Sequence, residues 1–295
     1  GCVLIIGPWN YPFSLTLQPL VAALAAGNTA VLKPSEHAPS VSSLIKKLIE
    51  RYFPKNVARV LEGDGNVASE LLTMKFDHVF FTGGENVAKK VMSAAAKNLT
   101  PITLELGGKS PAIIIDGANL EVTAKRIVWG KNLNAGQTCI APDHLLVKHD
   151  LFDALIVNLK RSIDEFYGSS PLESKHLGSI INQNQFNRLN NLLTQAKNNN
   201  QIIYGGDCKE ADKRISPTLI KIENRNDPLM QEELFGPLLP ILCIKNLEEA
   251  ITDLKFLDKP LALYLFGGNK KEQDKIISMT SSGGVCFNDV VLQAG

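Results

Sequence analysis

Short apolar runs alternate with longer stretches of helical periodicity along this 295-residue chain, and that alternation constrains its fold more than any other feature. Strands are predicted over 3–6, 29–33, 58–61, 77–82 and 102–106, with helices over 15–26, 40–52, 68–74 and 86–97 between them. In the last helix Val87, Val91 and Ala95 recur at four-residue steps beside Ala88, Met92 and Ala96, the spacing that lines one face. Strands separated by a helix pair in parallel, so the pattern reads as βαβ units. A second block begins near Gly107, with strands over 112–115, 145–148, 202–204, 216–222, 239–245 and 261–266. Asn119 can cap a helix carrying Leu120, Ala124, Ile127 and Val128, and a further helix buries Phe152, Leu155, Ile156, Leu159 and Ile163. Asn246 and Glu249 open a third in the manner of a capping box. The polar patch 198–201 reads as a helix end or turn, and no internal repeat is present. The expected architecture is α/β, in two domains over 1–106 and 107–295.

Charge and cysteine usage narrow the function classes. Basic and acidic residues number 31 and 30, and a net charge of +1 offers no basic face to nucleic acid. A 44% hydrophobic and 21% charged composition belongs to a globular chain. No apolar run approaches the roughly 20 residues that span a bilayer. The five cysteines form no CxxC pair, which argues against a disulfide framework and for a reducing, cytoplasmic setting. Zinc spacings are absent too, so no metal site is expected. The first residues read as a strand already under way and the last stop mid-pattern, so an internal piece of a longer protein is expected.

Several short segments could carry chemistry. Cys139 lies in Gly136-Gln137-Thr138-Cys139-Ile140-Ala141-Pro142-Asp143, a turn-rich loop where a thiol can be partly exposed and nucleophilic. An ordinary buried cysteine fits those residues equally well. Cys2, Cys243 and Cys286 sit in apolar runs and Cys208 in a turn, contexts without a catalytic cue. Glu105, between leucines before Gly107-Gly108-Lys109, would gain proton affinity on burial, as a general base needs. It could as well be the solvent-facing residue of a half-buried strand. Asn10, in Gly7-Pro8-Trp9-Asn10-Tyr11-Pro12, could donate to an oxyanion or simply occupy a turn. Lys33-Pro34-Ser35-Glu36 could meet ribose hydroxyls, and Thr82-Gly83-Gly84-Glu85-Asn86-Val87 joins a strand to a helix N-terminus that could receive a pyrophosphate. That glycine pattern is not G-x-G-x-x-G and is weak alone. Glu232-Glu233-Leu234-Phe235-Gly236-Pro237 is a similar turn, with paired acids beside an aromatic ring.

Taken in order, these segments resemble the aldehyde dehydrogenase superfamily, and within it the class 3 branch that includes fatty-aldehyde dehydrogenases. The match runs from P-W-N-Y-P through K-P-S-E, F-T-G-G, L-E-L-G-G-K-S-P, G-Q-T-C-I-A-P-D and E-E-L-F-G-P to S-S-G-G-V-C-F-N-D. Ile140-Ala141-Pro142-Asp143 and Lys259-Pro260-Leu261-Ala262-Leu263-Tyr264 look like class 3. The resemblance implies a Rossmann-like NAD(P)-binding domain over 1–106 and a catalytic domain over 107–295, a fold truncated at both ends here. It implies Cys139 as the nucleophile, Glu105 as the base for the deacylating water and Asn10 as an oxyanion donor. Lys33 and Glu36 would lie near the adenosine ribose. Gly83, Gly84, Glu85, Asn86, Val87 and Ala88 would form the turn under the pyrophosphate, and Glu233 with Phe235 would meet the nicotinamide ribose.

The activity so implied is oxidation of medium- or long-chain aliphatic or aromatic aldehydes to acids, with NAD or also NADP, in a homodimer whose membrane attachment would need a C-terminal tail. Two departures stand out: Ala88 replaces a usual glycine, and Gln293 stands where class 3 relatives often have histidine. A coenzyme A-acylating dehydrogenase would not need Glu105, and a non-redox cysteine esterase would need neither K-P-S-E nor T-G-G. A catalytically silent homologue is the other alternative.

Overall fold

A computed structural model describes residues 1–294, and the chain divides into two units, Gly1–Leu106 and Gly107–Gly295. The first holds strands β1 (Cys2–Ile6), β2 (Thr29–Lys33), β3 (Ala58–Val60), β4 (His78–Thr82) and β5 (Ile102–Glu105). Helices α1 (Ser14–Ala25), α2 (Pro39–Tyr52), α3 (Gly65–Leu71) and α4 (Glu85–Ala96) connect them in turn. All four pairings are parallel, and the strand order is β3-β2-β1-β4-β5. The βαβ expectation therefore holds element by element, with ends displaced by a few residues at most.

The order reverses at β1, so the next strands are laid down on its two opposite sides. On one side of the sheet Val3, Ile5 and Leu32 pack with Leu20, Ile45 and Ile49 of α1 and α2. Leu4, Ile6, Val79 and Phe81 meet Leu71 of α3 and Ala88 and Val91 of α4 on the other. Burial on both faces is why these strands read as apolar runs rather than as an alternating pattern.

The second unit is built on a seven-stranded sheet. Its first elements are β6 (Pro111–Ile114), α5 (Leu120–Asn132), β7 (His144–Lys148), α6 (Phe152–Tyr167), α7 (Gln183–Asn198) and β8 (Ile202–Tyr204). A small antiparallel pair, β9 (Cys208–Lys209) and β10 (Arg214–Ile215), stands apart from the sheet. The chain returns through β11 (Thr218–Ile222), β12 (Leu238–Ile244), α8 (Leu247–Leu254), β13 (Ala262–Phe266), α9 (Lys270–Met279) and β14 (Gly284–Phe287). The strand order is β14-β13-β6-β7-β12-β11-β8, parallel except for the edge strand β8.

Alternate residues of the strands face opposite helical layers. Ala112, Ile114, Leu145, Val147 and Tyr264 pack with Ile127 of α5 and Leu155 and Leu159 of α6. Ile113, Leu146, Leu242 and Leu265 pack with Phe186 and Leu189 of α7, Ile251 of α8 and Ile276 of α9.

The caps read from the sequence form as expected at Asn119, whose carboxamide accepts the Val122 amide at 3.2 Å. Asn246 accepts from Glu249 N–H at 3.0 Å, while the Glu249 carboxylate reaches back to Lys245 N–H rather than to Asn246. Sequence reading missed α7, α9, the β9–β10 pair and β14. The polar face of α7 masks the spacing Phe186, Leu189, Leu193 and Ala196, all buried. In α9 only Ile276 is buried, so hardly any apolar period exists to read.

Candidate active site

In the first unit every candidate residue lies at the carboxyl edge of the sheet, which is where ligands bind open α/β sheets. Asn10 follows β1, Lys33 ends β2 and Glu105 ends β5, with Gly83 and Gly84 between β4 and α4. Register places Ile6 beside both Lys33 and Phe81, and Thr82 beside Glu105. The crevice geometry therefore centres on β1 and β4, where the strand order reverses.

Individual residues refine the expected roles. Lys33 is buried, and its ammonium donates to Glu36 Oε2 at 2.7 Å and to the Pro34 carbonyl. Burial pushes the Glu36 carboxyl up, but the Lys33 hydrogen bond and charge outweigh it and hold the group below its ordinary range. The Gly83 amide does not point at a ligand: it donates to the Glu105 carbonyl at 3.1 Å, extending the sheet. The anion-ready end of α4 thus comes down to the amides of Gly84, Glu85 and Asn86. Val87 is exposed, whereas Ala88 is buried against the strands, so its extra methyl enters the helix–sheet interface. Glu85 is exposed and pairs with Lys89 at 2.6 Å. Half-buried Glu105 has its carboxyl pushed up by desolvation, the direction a general base needs.

Cys139 belongs to the second unit, on the loop between α5 and β7, and is half-buried against the layer under α5 and α6. All five cysteines are equally half-buried, so exposure does not single it out; its loop does. Asn134 and Ala135 both adopt left-handed backbone, with φ of 53° and 55°, a strain that persists only where surroundings hold it. The restraints are dense. Gln137 donates to the Asn134 and Ser179 carbonyls and accepts Ile181 N–H at 2.9 Å. Thr138 Oγ1 donates to the Leu133 carbonyl, and buried Tyr264 donates to the Ile140 carbonyl. That phenol accepts in turn from Val291 N–H and from Gln293 Nε2 at 3.0 Å, and burial pushes its pKa up to about 12. Gln293 thus holds Tyr264 through its side-chain amide.

Glu233 and Phe235 stand on the turn before β12, directly against this loop. Gly136 has φ +79°, and a Cβ added there would fall 2.3 Å from the Gly236 carbonyl, so only glycine allows the two backbones to touch. Phe235 is itself left-handed, with φ 49°. The Glu233 carboxyl lies over Gly107, where a Cβ would meet it at 2.2 Å. Its pKa is pushed up to about 8, first by burial and then by the negative charge of Asp143.

Beneath the turn lies a set of titratable groups that sequence reading did not assign: Lys131, Asp143 and His144, all buried, and Lys109, whose side chain is 9% exposed. Lys109 and Asp143 form an ion pair, and Asp143 stays ionised because Lys109 and Lys131 offset the desolvation that pushes it up. Desolvation brings Lys131 down to about 8. The signal was present, since Lys109 and Asp143 lie in two of the motifs quoted above, but a motif letter does not say which letter it pairs with.

His144 has no hydrogen-bond partner on either ring nitrogen, and desolvation takes its pKa to about 3. Its Nδ1 lies 3.9 Å from Asp143 Oδ2, which burial makes a contact of a neutral ring rather than an ion pair. The unfolded ring takes up a proton near its ordinary 6.5 and the folded ring does not, so stability falls as pH drops from about 6.5 toward 3. The slope is at most about 1.4 kcal/mol per pH unit. His144→Phe is expected to flatten that limb in a series of melting curves; an unchanged limb would mean that other groups cause it.

Among the described residues no cluster of three or more His, Cys, Asp or Glu side chains could hold a metal ion, and no helix is long and apolar enough to cross a membrane.

Comparison with known proteins places the chain in a family. The family model described as "Aldehyde dehydrogenase family" matches residues 1–294. The chain is 45% identical over 292 residues to "Aldehyde dehydrogenase, dimeric NADP-preferring" of Rattus norvegicus, covering 99% of this chain and 64% of that protein. It is 46% identical to "Aldehyde dehydrogenase family 3 member A2" of the same organism, covering 99% and 60%. A solved structure, "Substrate bound state of Staphylococcus Aureus AldH", superposes with a TM-score of 0.96 at 45% identity, covering all of this chain and 64% of that one. The chain thus spans less than two thirds of these relatives' length. Matched by that family model from residue 1 to residue 294, the chain belongs to the aldehyde dehydrogenase family.

Proposed function

We propose that this protein oxidises aldehydes to carboxylic acids with NAD or NADP, through a covalent intermediate on Cys139. The observation that carries the reading is the cysteine loop: a half-buried thiol on strained backbone, held by Gln137, Thr138 and Tyr264. A nucleophile fixed in this way needs little reorganisation to reach a carbonyl carbon.

In this reading the Cys139 thiolate forms a bond to the aldehyde carbon, and the carbonyl electrons move onto oxygen. Asn10 and the Cys139 amide donate to that oxyanion. When the oxyanion collapses, the C=O bond reforms and the carbon releases its hydride. Bound nicotinamide supplies the hydride acceptor, chemistry no side chain offers. A thioester remains on Cys139. Glu105 removes a proton from water, the hydroxide adds to the thioester carbon, and the C–S bond breaks to release the acid.

The first unit fits a dinucleotide. A Cβ added at Gly84 would meet no protein atom within 4 Å, leaving the approach to the α4 amides open. The sheet order reverses beside that turn. Glu36 would face the adenosine ribose with Lys33 next to it. An ionised Glu36 opposes a 2′-phosphate, so Glu36→Gln is expected to raise the NADP-over-NAD ratio of kcat/KM about tenfold. A ratio that does not move would show that Glu36 does not face the ribose.

Medium- or long-chain aliphatic or aromatic aldehydes are the proposed substrates, and a homodimer is the proposed assembly, in keeping with the "dimeric" name of one relative. A cytoplasmic setting is proposed on the five free cysteines. The direct test follows NADH formation by the natural full-length protein given a medium-chain aldehyde. A folded protein that reduces neither NAD nor NADP would leave the silent-homologue reading in place.

A further inference from the structure

We propose that Lys109 and Asp143 form a buried latch that sets the turn carrying Glu233 and Phe235 against the Cys139 loop, and that they are positioning residues of the reaction. The inference rests on the functional reading above. It goes further by giving work to two residues outside the reacting set.

The turn 229–236 contains no strand, so its backbone groups need other partners. Charged side chains take them. Lys109 Nζ donates to the Leu229 carbonyl at 2.9 Å and to the Glu232 carbonyl at 3.0 Å. Asp143 Oδ1 accepts Leu234 N–H at 2.8 Å, while its other oxygen takes Lys109. From α7, Arg188 donates to the Glu233 carbonyl at 3.4 Å and to the Leu234 carbonyl at 2.5 Å.

The same Asp143 closes the cysteine loop, four residues beyond Cys139, and its own amide donates to the Ser110 carbonyl at 2.7 Å. One residue therefore joins three pieces of chain, its amide meeting the start of β6 and its carboxylate the turn, at the end of the cysteine loop. Lys109, two residues before β6, closes the circuit. Their side chains are only 4% and 9% exposed, so water does not compete for these bonds.

The placement has a consequence for Glu233. Its carboxyl lies over Gly107 and accepts the Gly108 amide, next to Lys109 in the chain. The backbone that carries it is held at 232 by Lys109 and at 234 by Asp143. Releasing the latch moves Glu233 and Phe235 while leaving the Gln137, Thr138 and Tyr264 restraints on the Cys139 side in place. The effect should therefore fall on the cofactor side of the site and spare the nucleophile.

The test compares Asp143→Ala, Asp143→Asn and wild type in the natural full-length protein. Asp143→Asn keeps an acceptor for Leu234 N–H but loses the charge. Should Asp143→Ala fail to fold because Lys109 is left buried without a counter-charge, the pair Lys109→Met with Asp143→Leu removes both charges together. Backbone amides of 229–236 are expected to exchange with solvent about tenfold faster or more in the alanine or paired variant. The dissociation constant for NADH should rise by about tenfold, while the rate of Cys139 alkylation by iodoacetamide stays within about twofold of wild type. Asp143→Asn should fall between.

Unchanged exchange over 229–236 overturns the latch. So does a common factor in NADH affinity and Cys139 alkylation, which would mark general loosening rather than positioning. Wild-type protein that binds no NADH would instead overturn the functional reading itself, and the positioning role with it.

Discussion

Cys139→Ala is expected to abolish NADH formation from any aldehyde, lowering turnover by at least about a thousandfold, as loss of a covalent nucleophile does elsewhere. The alanine keeps the loop's volume nearly intact, and the loop's main restraints come from Gln137, Thr138 and Tyr264. The variant should therefore melt close to wild type. It should also retain NADH affinity, because the thiol is not among the groups proposed to hold the cofactor. Cys286, in contrast, belongs to β14, has its thiol pushed up chiefly by burial, and should tolerate alanine with activity retained. If Cys139→Ala still turns over at a wild-type rate, the covalent reading is lost, and with it the assignment of Glu105 to deacylation.

Glu105→Gln should separate the two halves of the reaction. Acylation and hydride release do not use this carboxylate, so a rapid-mixing experiment is expected to show one equivalent of NADH per site. Steady-state turnover then falls by about 10²- to 10⁴-fold, the usual contribution of a positioned base. Burial pushes the Glu105 carboxyl up, so wild-type deacylation is expected to be lost as pH falls through that raised value, where the proposed base would take up its proton. The glutamine variant should lack this limb. A slow variant with no burst would move Glu105 to the acylation half; a normal steady state would remove it from the mechanism.

In the first unit β1, β2 and β4 were legible because most of their residues are buried and apolar, whereas the shorter β3 and β5, with Arg59 and Thr103 exposed, were legible from their place between helical stretches. The candidate residues were legible for a different reason. Asn10, Lys33, Glu105 and Cys139 sit where strands or helices end, and those ends carry the glycines and prolines that punctuate a sequence. What failed was local signal. Gln183–Asn198 is a helix whose buried face is thin beneath a polar surface, and β14 is only half-buried throughout.

By itself the sequence determined the α/β alternation, the order of the motifs and the candidates for the reactive groups, since these depend on residue type and on spacing along the chain. Only the tertiary structure decided what those groups do to one another. It turned the Gly83 amide back into the sheet, drew Ala88 into the core and set Gln293 on Tyr264. It also brought Lys109, Asp143 and Leu234 together, although 34 positions separate the first two and 91 the last two. Burial then set the proton affinities of Glu105, Glu233 and His144, because desolvation is a property of the packed neighbourhood and has no counterpart along the chain.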